Sequence, residues 1–95
     1  MSDLTQLREA ITGIDRQMAA LFEERMKVCA DIAAWKGERG LPVKDEAREA
    51  QVIARNRQWI SDPAVEEYYL RFQRCVMDLA CAYEERVLTA PTDER

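Results

Sequence analysis

An apolar stripe with one charged member runs along the first third of the chain. Its members are spaced alternately by three and four residues, which is the repeat of one face of a single α-helix. Nine of the ten positions are apolar and the tenth is Arg25: Leu4, Leu7, Ile11, Ile14, Met18, Leu21, Arg25, Val28, Ile32 and Trp35. Burying a guanidinium group is costly unless an anion meets it, so we expect a carboxylate or an anionic ligand near Arg25.

This stripe predicts a first helix that is long for so short a chain. It should begin after a cap at Ser2 or Asp3 and run to Lys36 or Gly37. About 33 residues at the usual rise per residue give a length of roughly 50 Å. A compact monomer of this size has a radius of gyration of roughly 12 Å, so much of the helix would extend beyond its own chain. We therefore expect a second copy to cover the apolar stripe.

Two further helices follow in the sequence. The segment 39–44 is a loop that contains Gly and Pro, and Asp45 can cap a second helix that runs to about Ile60. Asp62 and Pro63 then provide a stop-and-start signal for a third helix. The sequence therefore predicts an all-α fold of a long, a short and a medium-long helix.

One domain accounts for the whole sequence, residues 1–95, with a core from about 3 to 88. The third helix weakens after Leu88, and the polar tail 89–95 is predicted to be disordered.

Composition excludes several classes of function. The chain has 14 Lys and Arg against 18 Asp and Glu, with the two signs interspersed, so it lacks the basic patch of a nucleic-acid or anionic-membrane surface. It contains no histidine and no Cys-x-x-Cys pair, which argues against a transition-metal site and against a Ser-His or Cys-His nucleophile. We therefore expect neither a cofactor nor a metal.

Cysteine usage and the N-terminal charges bear on the cellular compartment. Cys29, Cys75 and Cys81 are an odd number without a close pair, and their apolar neighbours predict that all three are small core residues. Five charged residues break the first twenty positions, and no apolar run is long enough to span a bilayer. These features predict a cytoplasmic protein.

Two more cations lie on the first helix with Arg25. Lys36 follows Arg25 by eleven residues, or roughly 16 Å along the axis, on nearly the same face, so the two cations can bracket a small dianion. Arg8 precedes Arg25 by seventeen residues, or roughly 25 Å. Arg8 is either an ordinary solvated residue or, if two long helices pack antiparallel in a dimer, a neighbour of Arg25 in the other chain.

Glu84 is a second anomaly, in the third helix. Its neighbours at helical spacing are small or apolar, which places its carboxyl group on a packing face. They are Met77, Ala80, Cys81 and Leu88. Either Glu84 forms a structural ion pair with Arg25, or both residues belong to a ligand site.

In their order and spacing, these residues resemble the all-helical chorismate mutases. The likeness covers about residues 3 to 88, and its pieces are weak singly but specific together. They are Leu7-Arg8-Glu9-Ala10-Ile11 with Ile14-Asp15, then Glu24-Arg25, then Lys36, then Pro42-Val43-Lys44-Asp45 with Arg48-Glu49.

The resemblance implies a homodimer of intertwined three-helix chains with two active sites for chorismate. Arg8 would be contributed to the partner's site across the interface. Arg25, Lys36 and Arg48 match the other cations around the substrate.

The resemblance also assigns acidic residues to the substrate. Asp45, by its backbone, and Glu49, by its carboxylate, match positions near the ring hydroxyl, and Glu84 matches a residue that faces the ether oxygen. Two departures are notable: Ala80 replaces a serine that is common one turn before that residue, and bacterial relatives commonly have glutamine in place of Glu84. An alignment shifted by one residue would place Tyr83 at the site instead.

The activity implied is chorismate mutase, the rearrangement of chorismate to prephenate in aromatic amino-acid biosynthesis. This pericyclic reaction needs no nucleophile, cofactor or obligatory proton transfer, which suits a chain without histidine. An enzyme accelerates it by holding the folded conformer of the substrate and by placing donors where negative charge grows on the ether oxygen. Lys36 would supply a positive charge there, and Glu84 can donate a hydrogen bond only when protonated.

Two other functions stay open at this point. An isochorismate pyruvate-lyase uses the same helical dimer and a similar cationic pocket, although Asp45 and Glu49 after the Pro-Val-Lys loop look more like a mutase. A non-catalytic helical dimerisation module would keep Arg25 and Glu84 as a buried ion pair and leave the remaining charges solvated.

Overall fold

Three α-helices joined by short loops make up the part of the chain that the structure describes. The computed structural model describes residues 3–89. The helices are α1 (Leu4–Glu38), α2 (Glu46–Arg57) and α3 (Pro63–Thr89). No strand occurs among the described residues, and the predicted all-α fold is confirmed. Ser2 and the part of the predicted disordered tail from 90 to 95 lie outside the described residues.

Acidic side chains cap the start of each helix. The Asp3 carboxylate accepts a hydrogen bond from the Gln6 backbone N–H at 2.8 Å, and the Gln6 side chain accepts one from the Asp3 N–H at 3.1 Å, which makes a capping box. Asp45 accepts from the Arg48 N–H at 3.0 Å, and Asp62 accepts from the second residue of α3 at 2.9 Å. These bonds satisfy backbone donors that have no partner within the helix, and they confirm the predicted starts of the helices.

The helix ends differ from the prediction by a few residues. α2 stops at Arg57 rather than near Ile60, because the N–H groups of residues 58–60 bond to carbonyls three residues earlier, at 2.9 to 3.2 Å. Such bonds tighten a helix end into a turn. α3 includes Thr89, whose hydroxyl donates to the Glu85 carbonyl at 2.9 Å, so the predicted tail begins too early by one residue.

α3 contacts both other helices, and α1 runs parallel to it. Phe22 of α1 and Phe72 of α3 line the same groove. Further along both helices, a Cβ atom at Gly37 would lie only 3.1 Å from Leu88 Cδ2. Glycine at position 37 therefore allows the ends of α1 and α3 to approach closely.

α2 packs against α3 and runs antiparallel to it. Glu49, near the start of α2, pairs with Arg74 in the middle of α3 at 2.8 Å. Arg57, at the end of α2, pairs with Glu66 near the start of α3 at 3.0 Å. The positions of these two ion pairs show that α2 and α3 run in opposite directions.

The chain is a flat layer in which half of α1 is uncovered. Every residue from 3 to 24 is exposed, including Leu21, whose exposed fraction is 62%. The radius of gyration is 17.1 Å and the dimensions are 55 × 36 × 14 Å, against roughly 12 Å for the radius of a compact chain of this length. Among residues 3–89, no helix carries an apolar stretch that could cross a bilayer.

Candidate active site

A pocket of about 220 Å³ opens where the three helices and the loop between α1 and α2 meet. Six of the seven residues predicted for the site line it. They are Arg25 and Lys36 from α1, Asp45, Arg48 and Glu49 from the start of α2, and Glu84 from α3. The seventh, Arg8, is exposed on the uncovered part of α1 and does not line this pocket. Within one chain the site therefore has all of its predicted groups except Arg8.

Arg25 lies at the pocket with no carboxylate beside it. Its side chain donates to Cys29 Sγ at 3.6 Å, a weak contact one turn further along α1. No ion pair within 4.0 Å joins Arg25 to any described residue. The structural ion pair with Glu84 that the sequence left open is thus not formed in the described chain.

Glu84 is buried in the pocket wall, with an exposed fraction of 7%. Burial raises the pKa of its carboxyl group, the positive charges of Lys36 and Arg25 oppose that rise, and the neighbouring Glu85 adds to it. Tyr83 is 39% exposed and does not line the pocket. The helix register therefore turns Glu84, and not Tyr83, toward the site.

Lys36 is held at the pocket by the loop that follows α1. Its ammonium group donates to the Val43 carbonyl at 3.0 Å, and the Val43 side chain is buried. The lysine is half-buried, so one of its three donors is fixed to backbone and the others are available to an anion.

Glu49 sits in a cluster of donors. Its Oε1 atom accepts from Arg74 at 2.8 Å and from Lys44 at 3.0 Å, and its Oε2 atom accepts from Lys44 at 3.1 Å and from the Cys81 thiol at 3.6 Å. The hydrogen bonds from Arg74 and then Lys44 lower the pKa of Glu49. Glu49 and Glu84 therefore line one pocket with pKa values shifted in opposite directions, so one carboxylate stays ionised while the other takes up a proton more readily.

A known protein family matches most of the chain. The family model of chorismate mutase type II matches residues 7–85, a span that includes the pocket residues of all three helices. The chain belongs to this chorismate mutase family. The resemblance read from the motifs is thereby confirmed.

Three curated relatives share parts of the chain. It is 42% identical over 52 residues to a 3-dehydroquinate dehydratase of Pyrobaculum aerophilum, 32% identical over 57 residues to a T-protein of Enterobacter agglomerans, and 31% identical over 64 residues to a chorismate mutase of Methanocaldococcus jannaschii. These matches cover 55%, 60% and 67% of this chain. The chain spans only 17%, 15% and 65% of the lengths of those relatives. No solved structure matches it in the corresponding comparison.

Arg55 is a pocket cation of this chorismate mutase family member that the sequence analysis missed. It lines the pocket from α2, and its side chain donates to Asn56 Oδ1 at 2.9 Å. Arg55 follows Arg48 by seven residues, which is two helical turns on the same face, so helical spacing could have found it.

The prediction that the three cysteines are core residues is wrong for the described chain. Cys75 is exposed, while Cys29 and Cys81 are half-buried and line the pocket. Their apolar neighbours face an uncovered groove and an open pocket rather than a closed core. Ala80 is also in the pocket wall, with an exposed fraction of 4%. Its methyl side chain offers no hydrogen bond to a ligand.

Proposed function

We propose that the protein is a chorismate mutase that rearranges chorismate to prephenate in aromatic amino-acid biosynthesis. The proposal rests on one observation: in a chain of this family, a single pocket gathers Arg25, Lys36 and Arg48 around the buried Glu84. Chorismate carries two carboxylates, and guanidinium groups bind carboxylates through paired hydrogen bonds that fix orientation as well as position. Such a pocket can select the folded conformer in which the reacting carbon atoms meet.

The polar groups of the pocket fit the charge changes of the reaction. As the ether bond breaks, negative charge grows on its oxygen, and a fixed cation such as Lys36 stabilises that charge. Protonated Glu84 donates a hydrogen bond to the same oxygen, whereas its ionised form would repel it. The ring hydroxyl is placed by the backbone of Asp45 and by the ionised carboxylate of Glu49. No proton has to leave the enzyme during the rearrangement.

A second copy of the chain completes the proposed site. The uncovered residues 3–24 carry most of the apolar stripe, and a second apolar groove of about 490 Å³ lies between α1 and α3, lined by Phe22, Phe72 and Leu79. Together these surfaces need a partner of matching length and apolar character, which another α1 supplies. In an intertwined homodimer, Arg8 of one chain enters the site of the other.

The activity is tested with two substrates offered separately to the purified protein. We expect chorismate to be consumed with prephenate as the product, and isochorismate to yield no pyruvate. Pyruvate from isochorismate with chorismate left intact would identify a lyase instead. No turnover of either substrate by the folded dimer would favour the dimerisation module.

Mixing two inactive variants tests the proposed contribution of Arg8 to the partner's site. Arg8→Ala and Arg25→Ala are each expected to abolish most activity alone. When they are unfolded together and refolded at equal amounts, half of the dimers are mixed, and each mixed dimer has one intact site. Turnover should recover to about one quarter of the unmutated level, as a two-fold symmetric shared site requires. Turnover that stays at the level of the separate variants would show that Arg8 acts within its own chain or outside the site.

A further inference from the structure

We propose that Arg74 and Lys44 are positioning residues that clamp the Glu49 carboxylate, so that it meets the hydroxyl of the substrate in one fixed orientation. This inference rests on the proposed function, because Glu49 meets a substrate hydroxyl only if the pocket binds chorismate. Neither Arg74 nor Lys44 lines the pocket, so both act through Glu49.

The clamp closes on Glu49 from two different elements. Arg74 reaches its Oε1 atom from α3 at 2.8 Å, and Lys44 reaches both oxygens from the loop at 3.0 and 3.1 Å. The Glu49 side chain is 12% exposed, whereas those of Lys44 and Arg74 are 52% and 45% exposed. The carboxylate is therefore inside and the two cations hold it from the solvent side. Hydrogen bonds to both oxygens restrain the terminal torsion of Glu49, which is otherwise broad.

One face of the carboxylate stays open to a ligand. An ionised carboxylate has about four lone-pair sites, and three of them are used by the two cations. The fourth, on Oε2, is met by the Cys81 thiol at a sulfur distance of 3.6 Å. Cys81 lines the pocket, and a thiol is a weak donor. A substrate hydroxyl entering the pocket can thus replace Cys81 at Oε2 without disturbing the clamp.

Electrostatics keep Glu49 in the form that accepts this hydroxyl. Its hydrogen bonds to Arg74 and Lys44 hold its pKa below the usual range, with burial opposing them. Further charged or titratable groups face the same pocket from each element. They are Arg25, Cys29 and Lys36 on α1, Asp45 just before α2, Arg48 and Arg55 on α2, and Cys81 and Glu84 on α3. Asp78 of α3 does not line the pocket and contacts Arg74 at 3.8 Å. None of the cations that line the pocket pairs with Glu49 among residues 3–89; its cationic partners there are Lys44 and Arg74.

A second ion pair between α2 and α3 serves as a control for a purely structural role of Arg74. Arg57 and Glu66 also join α2 to α3, at 3.0 Å, and neither residue lines the pocket. Both pairs are partly exposed, and exposed ion pairs contribute little to stability. Arg57→Gln therefore removes one tie between α2 and α3 without touching the carboxylate in the site.

The test compares the steady-state kinetics of Arg74→Gln, Arg74→Lys and Arg57→Gln dimers with chorismate. We expect Arg74→Gln to raise KM about tenfold and to change kcat less than about twofold, because a hydrogen bond to the unreacting hydroxyl is equally strong before and during the rearrangement. Arg74→Lys should restore most of the loss, and Arg57→Gln should leave KM unchanged. The fall of kcat/KM at low pH should also move to higher pH in Arg74→Gln, since the pKa of Glu49 rises.

A double-variant comparison separates positioning from simple stabilisation. In a Glu49→Gln background, Arg74→Gln should add nothing further to KM, since a positioning residue acts only through its target. An unchanged KM in Arg74→Gln, in a preparation whose unmutated form converts chorismate, would overturn the clamp and leave the mutase function intact. Equal changes of KM in Arg74→Gln and Arg57→Gln would also overturn the clamp and leave the mutase function intact. Absence of chorismate turnover in the unmutated dimer would overturn both proposals.

Discussion

Arg25→Ala is expected to lower kcat/KM for chorismate about thousandfold while the chain stays folded. Among the described residues, the guanidinium group has no carboxylate within 4.0 Å, and its side-chain hydrogen bond is the weak one to the Cys29 sulfur at 3.6 Å. Removing it therefore breaks no ion pair and costs the fold little, because the buried Glu84 keeps the charge of Lys36 nearby and can take up a proton. The substrate, in contrast, loses the paired donors that hold one of its carboxylates.

The measurement pairs chorismate kinetics with thermal unfolding of the same variant. Arg71→Ala provides the control, because Arg71 is a cation of α3 outside the pocket whose side chain is 71% exposed and pairs with the exposed Glu67 at 2.8 Å. It should change neither kcat/KM nor the unfolding temperature appreciably. If Arg25→Ala unfolded the protein instead, Arg25 would be a structural residue, as a dimerisation module requires.

The helices were predictable because their signals are local. Asp3, Asp45 and Asp62 each bond to an N–H group two or three residues ahead, and such a contact depends only on nearby sequence. The end of α2 was predicted too late, because the choice between an α-helical and a tighter turn at residues 58–60 depends on how the chain enters α3. Local signals therefore place the elements better than they place their ends.

The pocket was only partly predictable, and the reason is the sequence distance between its members. Arg25 and Lys36 lie on one face of one helix, so their spacing alone predicts that both can face the same pocket. Arg74 pairs with Glu49 across 25 residues of sequence, and no periodicity links a residue of α3 to one of α2. Whether Arg25 meets Glu84 or a ligand was also undecided in the sequence, since both outcomes use the same two residues. In the folded chain no ion pair within 4.0 Å joins Arg25 to Glu84, and the binding of a ligand by both residues stays a proposal.

Glu84 should make the rate fall as pH rises, and Glu84→Gln should remove that fall. Burial raises the pKa of the Glu84 carboxyl group, and Lys36 and Arg25 from α1 oppose the shift without cancelling it. Below this pKa the side chain is protonated and can donate to the ether oxygen, and above it the donor is lost. The protonated fraction then falls about tenfold for each pH unit. An amide at position 84 donates at every pH, so the variant should exceed the unmutated enzyme at alkaline pH.

The same titration should appear in the stability of the folded chain. For a carboxyl group whose pKa is raised by folding, the stabilisation is fully present below the pKa of the unfolded state and is lost as pH rises through the pKa of the folded state. The unfolding temperature of the unmutated protein should therefore fall over the pH range in which its rate falls, and Glu84→Gln should flatten both curves together. Glu84→Ala, which has no donor, should be slower by about a hundredfold at pH values where Glu84 is protonated, should lack the titration, and should approach the unmutated rate at alkaline pH. A rate that does not vary from acid to neutral pH in the unmutated enzyme would show that Glu84 does not act as a protonated donor.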